Sequence, residues 1–263
     1  MKIIFITLAV ILAVVILGCR TENAQVSNAD GPVASAPVKN GKTPILLELF
    51  TSEGCSSCPP ADRLLGLIAK EQPHEQTEII TLGFHVDYWN HDGWRDRFSS
   101  SSFTDRQSAY SRQFKLDGDY SPQLVVDGAT QVVGSNSVKV NDAINSRLSS
   151  VKAIIKTEIK SDKLHIDISG VPDQKGATVY LAVAESGLVS NITAGENSGA
   201  RLTHISVVRD LHSIGKIAGG GKAITIDTAL PTDTAWKVEN IKYVVFIQDN
   251  ANLHILGASQ TGK

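Results

Sequence analysis

The chain has 263 residues, 42% of them hydrophobic and 20% charged, with a formal charge of −2. That length suffices for one large core or two small ones. The near-neutral balance, with no run of Lys or Arg and no basic residues interleaved with aromatics, excludes a polyanion-binding surface, so nucleic acid is not an expected partner.

The chain opens with Lys2, then an unbroken apolar run from Ile3 to Leu17, then Gly18-Cys19. The run is short for a membrane span and has the form of a signal peptide with a lipoprotein-type ending. Cys19 is the expected lipidation site, which would tether the protein to a bacterial membrane on its extracytoplasmic side, facing the periplasm where there are two membranes. An uncleaved N-terminal anchor is the alternative and places the rest of the chain on the same side. Residues 20–43 are rich in Ala, Ser, Asn, Val and Pro without periodicity and read as a flexible tether. The expected division is thus a signal peptide at 1–19, a tether at 20–43, an α/β domain at 44–150 and a β-rich domain at 151–263.

The next stretch carries the chemistry. Leu46-Leu47-Glu48-Leu49-Phe50 reads as a buried strand, followed by Gly54-Cys55-Ser56-Ser57-Cys58-Pro59-Pro60 and a helix to about Lys70. A thiol at a helix N-terminus faces unpaired N–H groups and the positive end of the helix dipole, which stabilise its thiolate. Cys55 is the expected nucleophile and Cys58 the resolving thiol, close enough to release a mixed disulfide. A structural zinc site would want a second pair of ligands, and the only other cysteine is Cys19. A permanently closed disulfide and a copper site remain as alternatives. In the copper reading, His85 joins the two thiolates, since soft sulfur plus imidazole suits that metal; otherwise no cofactor is expected.

Residues 78–86 read as a second buried strand, with His85, Asp87, Tyr88 and Trp89 at its end. A polar helix follows at about 103–115, then a hairpin turning at Asp127-Gly128, then a helix at 137–149. Strand, helix, strand, helix, hairpin, helix is a thioredoxin-type order, a mixed sheet with flanking helices. Pro122 precedes the third strand, where that fold carries a cis-proline facing the dithiol. Ser121 and Pro122 are therefore expected to position the substrate chain. Glu48 is a candidate for proton transfer beneath the dithiol, the alternative being a carboxylate on the solvated edge of the strand. His85 is a candidate for tuning the thiolate, although a lone strand histidine is more often a hydrogen-bonded packing residue.

From about Lys152 short alternating runs predict six or seven strands and a β-sandwich-like C-terminal part. Residues 187–200 and 217–221 read as loops. Residues 195–199, with Arg201 and His204, are expected to approach the dithiol and shape access to it.

The segments at 48–62, 84–89 (Phe-His-Val-Asp-Tyr-Trp), 93–96 (Gly-Trp-Arg-Asp) and 121–128 (Ser-Pro-Gln-Leu-Val-Val-Asp-Gly), with others at 195–199, 202–204 and 207–209, resemble those of one bacterial group. This is the secreted thioredoxin-like family catalogued as domain of unknown function 1223. The resemblance implies the fold and dithiol chemistry but no substrate. The expected activity is thiol–disulfide exchange on protein thiols or disulfides, with an unidentified redox partner.

Overall fold

The computed structural model describes residues 25–28, 41–219 and 223–262. The signal peptide, Cys19, most of the tether and the end of the glycine-rich loop at 217–221 lie outside the described residues.

The architecture is a mixed α/β fold with few helices. Its first half consists of β1 (Gln25–Asn28), β2 (Thr43–Thr51), α1 (Pro59–Glu71), β3 (Thr77–His85), α2 (Ser101–Phe114), β4 (Gln123–Val126), β5 (Thr130–Val133) and α3 (Ser137–Asn145). Its second half consists of β6 (Ile154–Lys160), β7 (Lys163–Ser169), β8 (Gly176–Glu185), β9 (Leu188–Asn191), β10 (Arg201–His204), β11 (Val207–Ala218), β12 (Ile224–Ala229), β13 (Ile241–Asp249) and β14 (Ile255–Gly262).

The central sheet has eight strands in the order β14-β13-β8-β11-β3-β2-β4-β5. Strand β2 is parallel to β3 and antiparallel to β4. It is apolar at nearly every position because both of its faces are covered. Ile45, Leu47 and Leu49 pack with Ala61, Leu65 and Ile68 of α1 and with Val140 and Ile144 of α3. Leu46 and Phe50 point the other way, toward Phe84, Phe103 and Tyr110, which brings α2 onto that face. The β4–β5 turn is tight because Asp127 (φ 53°) and Gly128 (φ 64°) both adopt left-handed backbone. A side chain at Gly128 would also meet the Leu253 carbonyl oxygen at 2.0 Å.

The sheet continues past residue 150. Strand β11 lies parallel to β3, with Val207 opposite Gly83, and antiparallel to β8 along its length. A second sheet, β1-β12-β7-β6, lies over this extension. Between them are Leu164, Ile166, Ile168 and Ile226 from one side and Val179, Leu181, Val183, Val245 and Ile247 from the other. Strands β9 and β10 form a separate hairpin.

Several boundaries differ from expectation. Residues 25–28, read as part of the tether, pair antiparallel with β12 and take up its open edge. Strand β9 forms inside the segment at 187–200 that reads as a loop. Helix α3 ends at Asn145, where the Ser146 hydroxyl turns back to donate to the Ala143 carbonyl at 2.7 Å.

Candidate active site

Cys55 and Cys58 form a disulfide with Cα atoms 5.4 Å apart, at the junction of β2 and α1. The loop reaches this position through a close approach at Gly54, where a Cβ would lie 2.7 Å from the Trp89 carbonyl oxygen. Both cysteines are fully buried. The free N–H groups expected at the helix start are largely missing: Pro59 and Pro60 have none, and those of Ala61 and Asp62 both return to the Cys58 carbonyl. Hydroxyls surround the sulfur instead. Ser121 Oγ donates to Cys55 Sγ at 3.3 Å, and Ser57 Oγ lies at the same distance from it. Trp89 Nε1 donates to Ser121 Oγ at 2.7 Å. The Ser121–Pro122 peptide bond is cis. Cys55, Cys58, Ser121 and Pro122 are therefore brought together as the sequence suggested.

The tip of the β9–β10 hairpin closes over the loop. Asn197 Nδ2 donates to the carbonyls of Glu53 at 2.8 Å and Cys55 at 2.9 Å. The Ser56 N–H donates to Glu196 Oε2 at 3.0 Å, and that bond holds the exposed Glu196 carboxyl below its ordinary range. Gly195 and Gly199 bracket the tip with φ values of 72° and 84°, which glycine adopts without strain. Arg201 is exposed, while His204 is buried.

Behind the loop lies a buried polar network. His204 Nε2 meets Glu53 Oε1 at 3.1 Å, and Trp94 Nε1 donates to the other Glu53 oxygen at 3.1 Å. Asp96 Oδ2 accepts the Glu53 N–H at 2.9 Å and faces His85 Nδ1 at 2.6 Å. The rings of His85 and His204 are 5.0 Å apart. Burial alone would lower the pKa of His85, but the charge and hydrogen bond of Asp96 outweigh it and the net shift is upward. Burial likewise works to raise Asp96, and its bonds to His85 prevail, leaving it lowered. Asp62, in the first turn of α1, accepts from Thr51 Oγ1 at 3.1 Å and is raised by burial, with His85 and His204 pulling the other way.

Two expected roles are corrected by this geometry. Glu48 points to the α2 face of β2, away from the face that α1 covers, and is taken up by groups on that side. It accepts from Arg106 Nε at 2.6 Å and from Tyr110, whose hydroxyl also accepts from Gln248 Nε2 at 2.8 Å. The cause is strand parity: α1 covers the odd positions of β2, so the even ones face α2. His85 is engaged by Asp96 and does not join the sulfurs. Among the described residues, no three His, Cys, Asp or Glu side chains converge to hold a metal ion. Sequence reasoning missed Glu53, Asp62 and the pairing of Asp96. The one available signal was that Glu53, Asp96 and His204 fall in or beside the motif segments.

The family described as a protein of unknown function (DUF1223) matches residues 46–248. The chain belongs to the DUF1223 family. A structure from Agrobacterium tumefaciens, a structural-genomics target, superposes on this DUF1223 protein with a TM-score of 0.67 at 27% identity. The match covers 86% of this chain and 95% of that one. HBP35 of Porphyromonas gingivalis superposes with a TM-score of 0.58 at 15% identity, over 84% of this chain and 75% of its own, a likeness of fold alone. No curated protein matches the chain.

Proposed function

We propose that this DUF1223 protein is a thiol–disulfide oxidoreductase, held at the extracytoplasmic face of a bacterial membrane by a lipid on Cys19, that acts on protein thiols or disulfides. The observation that carries the reading is the Cys55–Cys58 pair at the start of α1 with Ser121, of a cis Ser121–Pro122 bond, 3.3 Å from Cys55 Sγ. The order β2-α1-β3-α2-β4-β5-α3 supports a thioredoxin-like description of the first half. The two facing sheets support a sandwich-like description of the second.

In the oxidised protein, a substrate thiolate attacks Cys55 Sγ. The Cys55–Cys58 bond breaks, a bond from Cys55 to the substrate sulfur forms, and Cys58 leaves as a thiolate that takes a proton. A second substrate thiolate then attacks the substrate sulfur and releases the Cys55 thiolate. Two electrons have passed from the substrate dithiol to the protein pair, and the reverse sequence reduces a substrate disulfide. Ser121 and Pro122 position the incoming chain beside Cys55. An unidentified redox partner resets the pair.

The test uses protein lacking residues 1–19, equilibrated in glutathione buffers and followed by thiol trapping and intact mass. A midpoint within the range of known oxidoreductases, together with stable mixed disulfides in Cys58→Ser, is the expected result. A pair that never opens in those buffers, or a Cys55→Ser protein that still turns over, would overturn the reading.

A further inference from the structure

Resting on the exchange chemistry above, we propose that Trp89 is a positioning residue that acts through Ser121: its indole N–H engages the serine oxygen and aims the serine's single hydrogen at Cys55 Sγ. The argument is one of donor and acceptor inventory. An indole N–H can only donate, so at 2.7 Å Ser121 Oγ must accept from it. The serine then has one hydrogen left, and Cys55 Sγ lies 3.3 Å away with donor geometry satisfied. Because an indole cannot accept, it never competes for that hydrogen, and the hydroxyl is held in the orientation a thiolate requires.

The local sequence explains why such a device matters here. Pro59 and Pro60 remove two of the N–H groups that a helix start would offer, and the next two return to the Cys58 carbonyl. Side-chain hydroxyls are the polar groups placed against Cys55 Sγ instead. Ser57 Oγ is the second, but it also faces the Ser121 carbonyl at 3.4 Å, so its hydrogen is shared between two acceptors. Tyr88 lies beside the same serine: burial pushes its phenol up while hydrogen bonding to Ser121 and Gln107 works to lower it, so it adds no charge at the sulfur. It is a second polar neighbour of the serine hydroxyl besides Trp89. The Ser121 hydroxyl is the donor whose geometry to Cys55 Sγ is satisfied. It stabilises Cys55 both as the attacking thiolate and as the leaving group, which favours the reduced pair and makes the protein more oxidising.

The test is a double-mutant cycle in protein lacking residues 1–19. Cys55 alkylation by iodoacetamide is measured at mildly acidic pH in a Cys58→Ala background, and the midpoint potential is measured with both cysteines present. Ser121→Ala is expected to slow alkylation about twentyfold, the scale of a hydrogen bond to a charged group, and Trp89→Phe roughly fivefold, the scale of a neutral one. Both should make the potential more negative. In the Ser121→Ala background, Trp89→Phe should add nothing. An effect of Trp89→Phe that persists at full size there, or none in either background, overturns the relay. Benzothienylalanine at position 89 keeps the ring shape and lacks the N–H, so it separates the hydrogen bond from packing; wild-type rates with it would also overturn the relay. If the alkylation pattern holds but the wild-type pair does not exchange with glutathione, the relay stands and the oxidoreductase reading falls.

Discussion

His204 Nε2 meets the Glu53 carboxylate at 3.1 Å across a sequence separation of 151 residues, tying the start of the dithiol loop to the β10 strand. Both side chains are buried, and the other ring nitrogen of His204 has no partner among the described residues. The Glu53 bond is therefore the ring's one hydrogen bond among the described residues. Replacing His204 by Ala leaves a buried carboxylate held only by Trp94, and a cost of about 1–3 kcal/mol is expected. Because Glu53 lies two residues before Cys55, the loop should loosen as well. Urea midpoints check the first expectation, and hydrogen exchange across residues 52–58 checks the second. A stable variant with an unaltered loop would show the contact to be incidental.

Asn197 makes the most direct connection between the hairpin tip and the disulfide. Its amide donates to two carbonyls of the dithiol loop, so Asn197→Ala removes both bonds at once while leaving the Glu196 contact in place. The disulfide is fully buried, and these bonds hold the hairpin tip against the loop that carries it. Reduction by dithiothreitol should therefore quicken roughly fivefold, the scale of about 1 kcal/mol for a net hydrogen bond. Unchanged kinetics would mean that reductant reaches the sulfurs by another side.

The dithiol loop, the Asp127-Gly128 turn and the apolar run of β2 were legible in the sequence because each is set by neighbours within a few residues. The Glu53–Asp96–His204 network was not, since its members come from three distant segments and no local spacing marks them. The length of β11 is not legible, because register shifts between Val208 and Asp210 and between Ser213 and Gly215 interrupt its alternation and its end enters the segment at 217–221 that reads as a loop. Its parallel pairing with β3 joins residues far apart in the chain, and this pairing makes one sheet of what reads as two parts. Glu48 shows a different limit. The strand was correctly placed, but its parity relative to α1 decides which face the carboxyl occupies.

That parity yields a separation of stability from reactivity. Arg106 is buried against Glu48 and lies within 5.3–5.6 Å of the rings of Phe84, Tyr110, Tyr180 and Phe246. Burial alone would weaken its hold on the proton, but Glu48 reverses this and raises it. Glu48→Gln keeps the shape and leaves the guanidinium uncompensated, for which a loss of about 3–5 kcal/mol is expected. The partners of Glu48 are Arg106 and Tyr110, on the face of β2 opposite α1, so the exchange rate of the pair with glutathione below the unfolding transition should not change. Denaturation and exchange measured on the same preparation test this, and a parallel loss of exchange would return Glu48 to the dithiol.

The His85–Asp96 pair predicts how stability follows pH. His85 has its pKa raised above 6.5 in the fold, with Asp96 outweighing burial and with Asp62 and Glu53 acting in the same direction. The folded state thus binds that proton more tightly than the unfolded chain. The stabilisation is complete below 6.5 and is lost as pH rises through the higher folded value. Asp96 works in the opposite sense: lowered from 3.8, it contributes stability above that value and loses it as pH falls through its depressed one. A maximum between the two limbs follows. Urea midpoints measured from acid to mildly alkaline pH should fall on the alkaline side in the wild type. In Asp96→Asn, His85 keeps its burial but loses the partner that outweighs it, so that alkaline fall should disappear. Persistence of the fall in Asp96→Asn would assign it to other groups and leave the pair without a role in pH sensitivity.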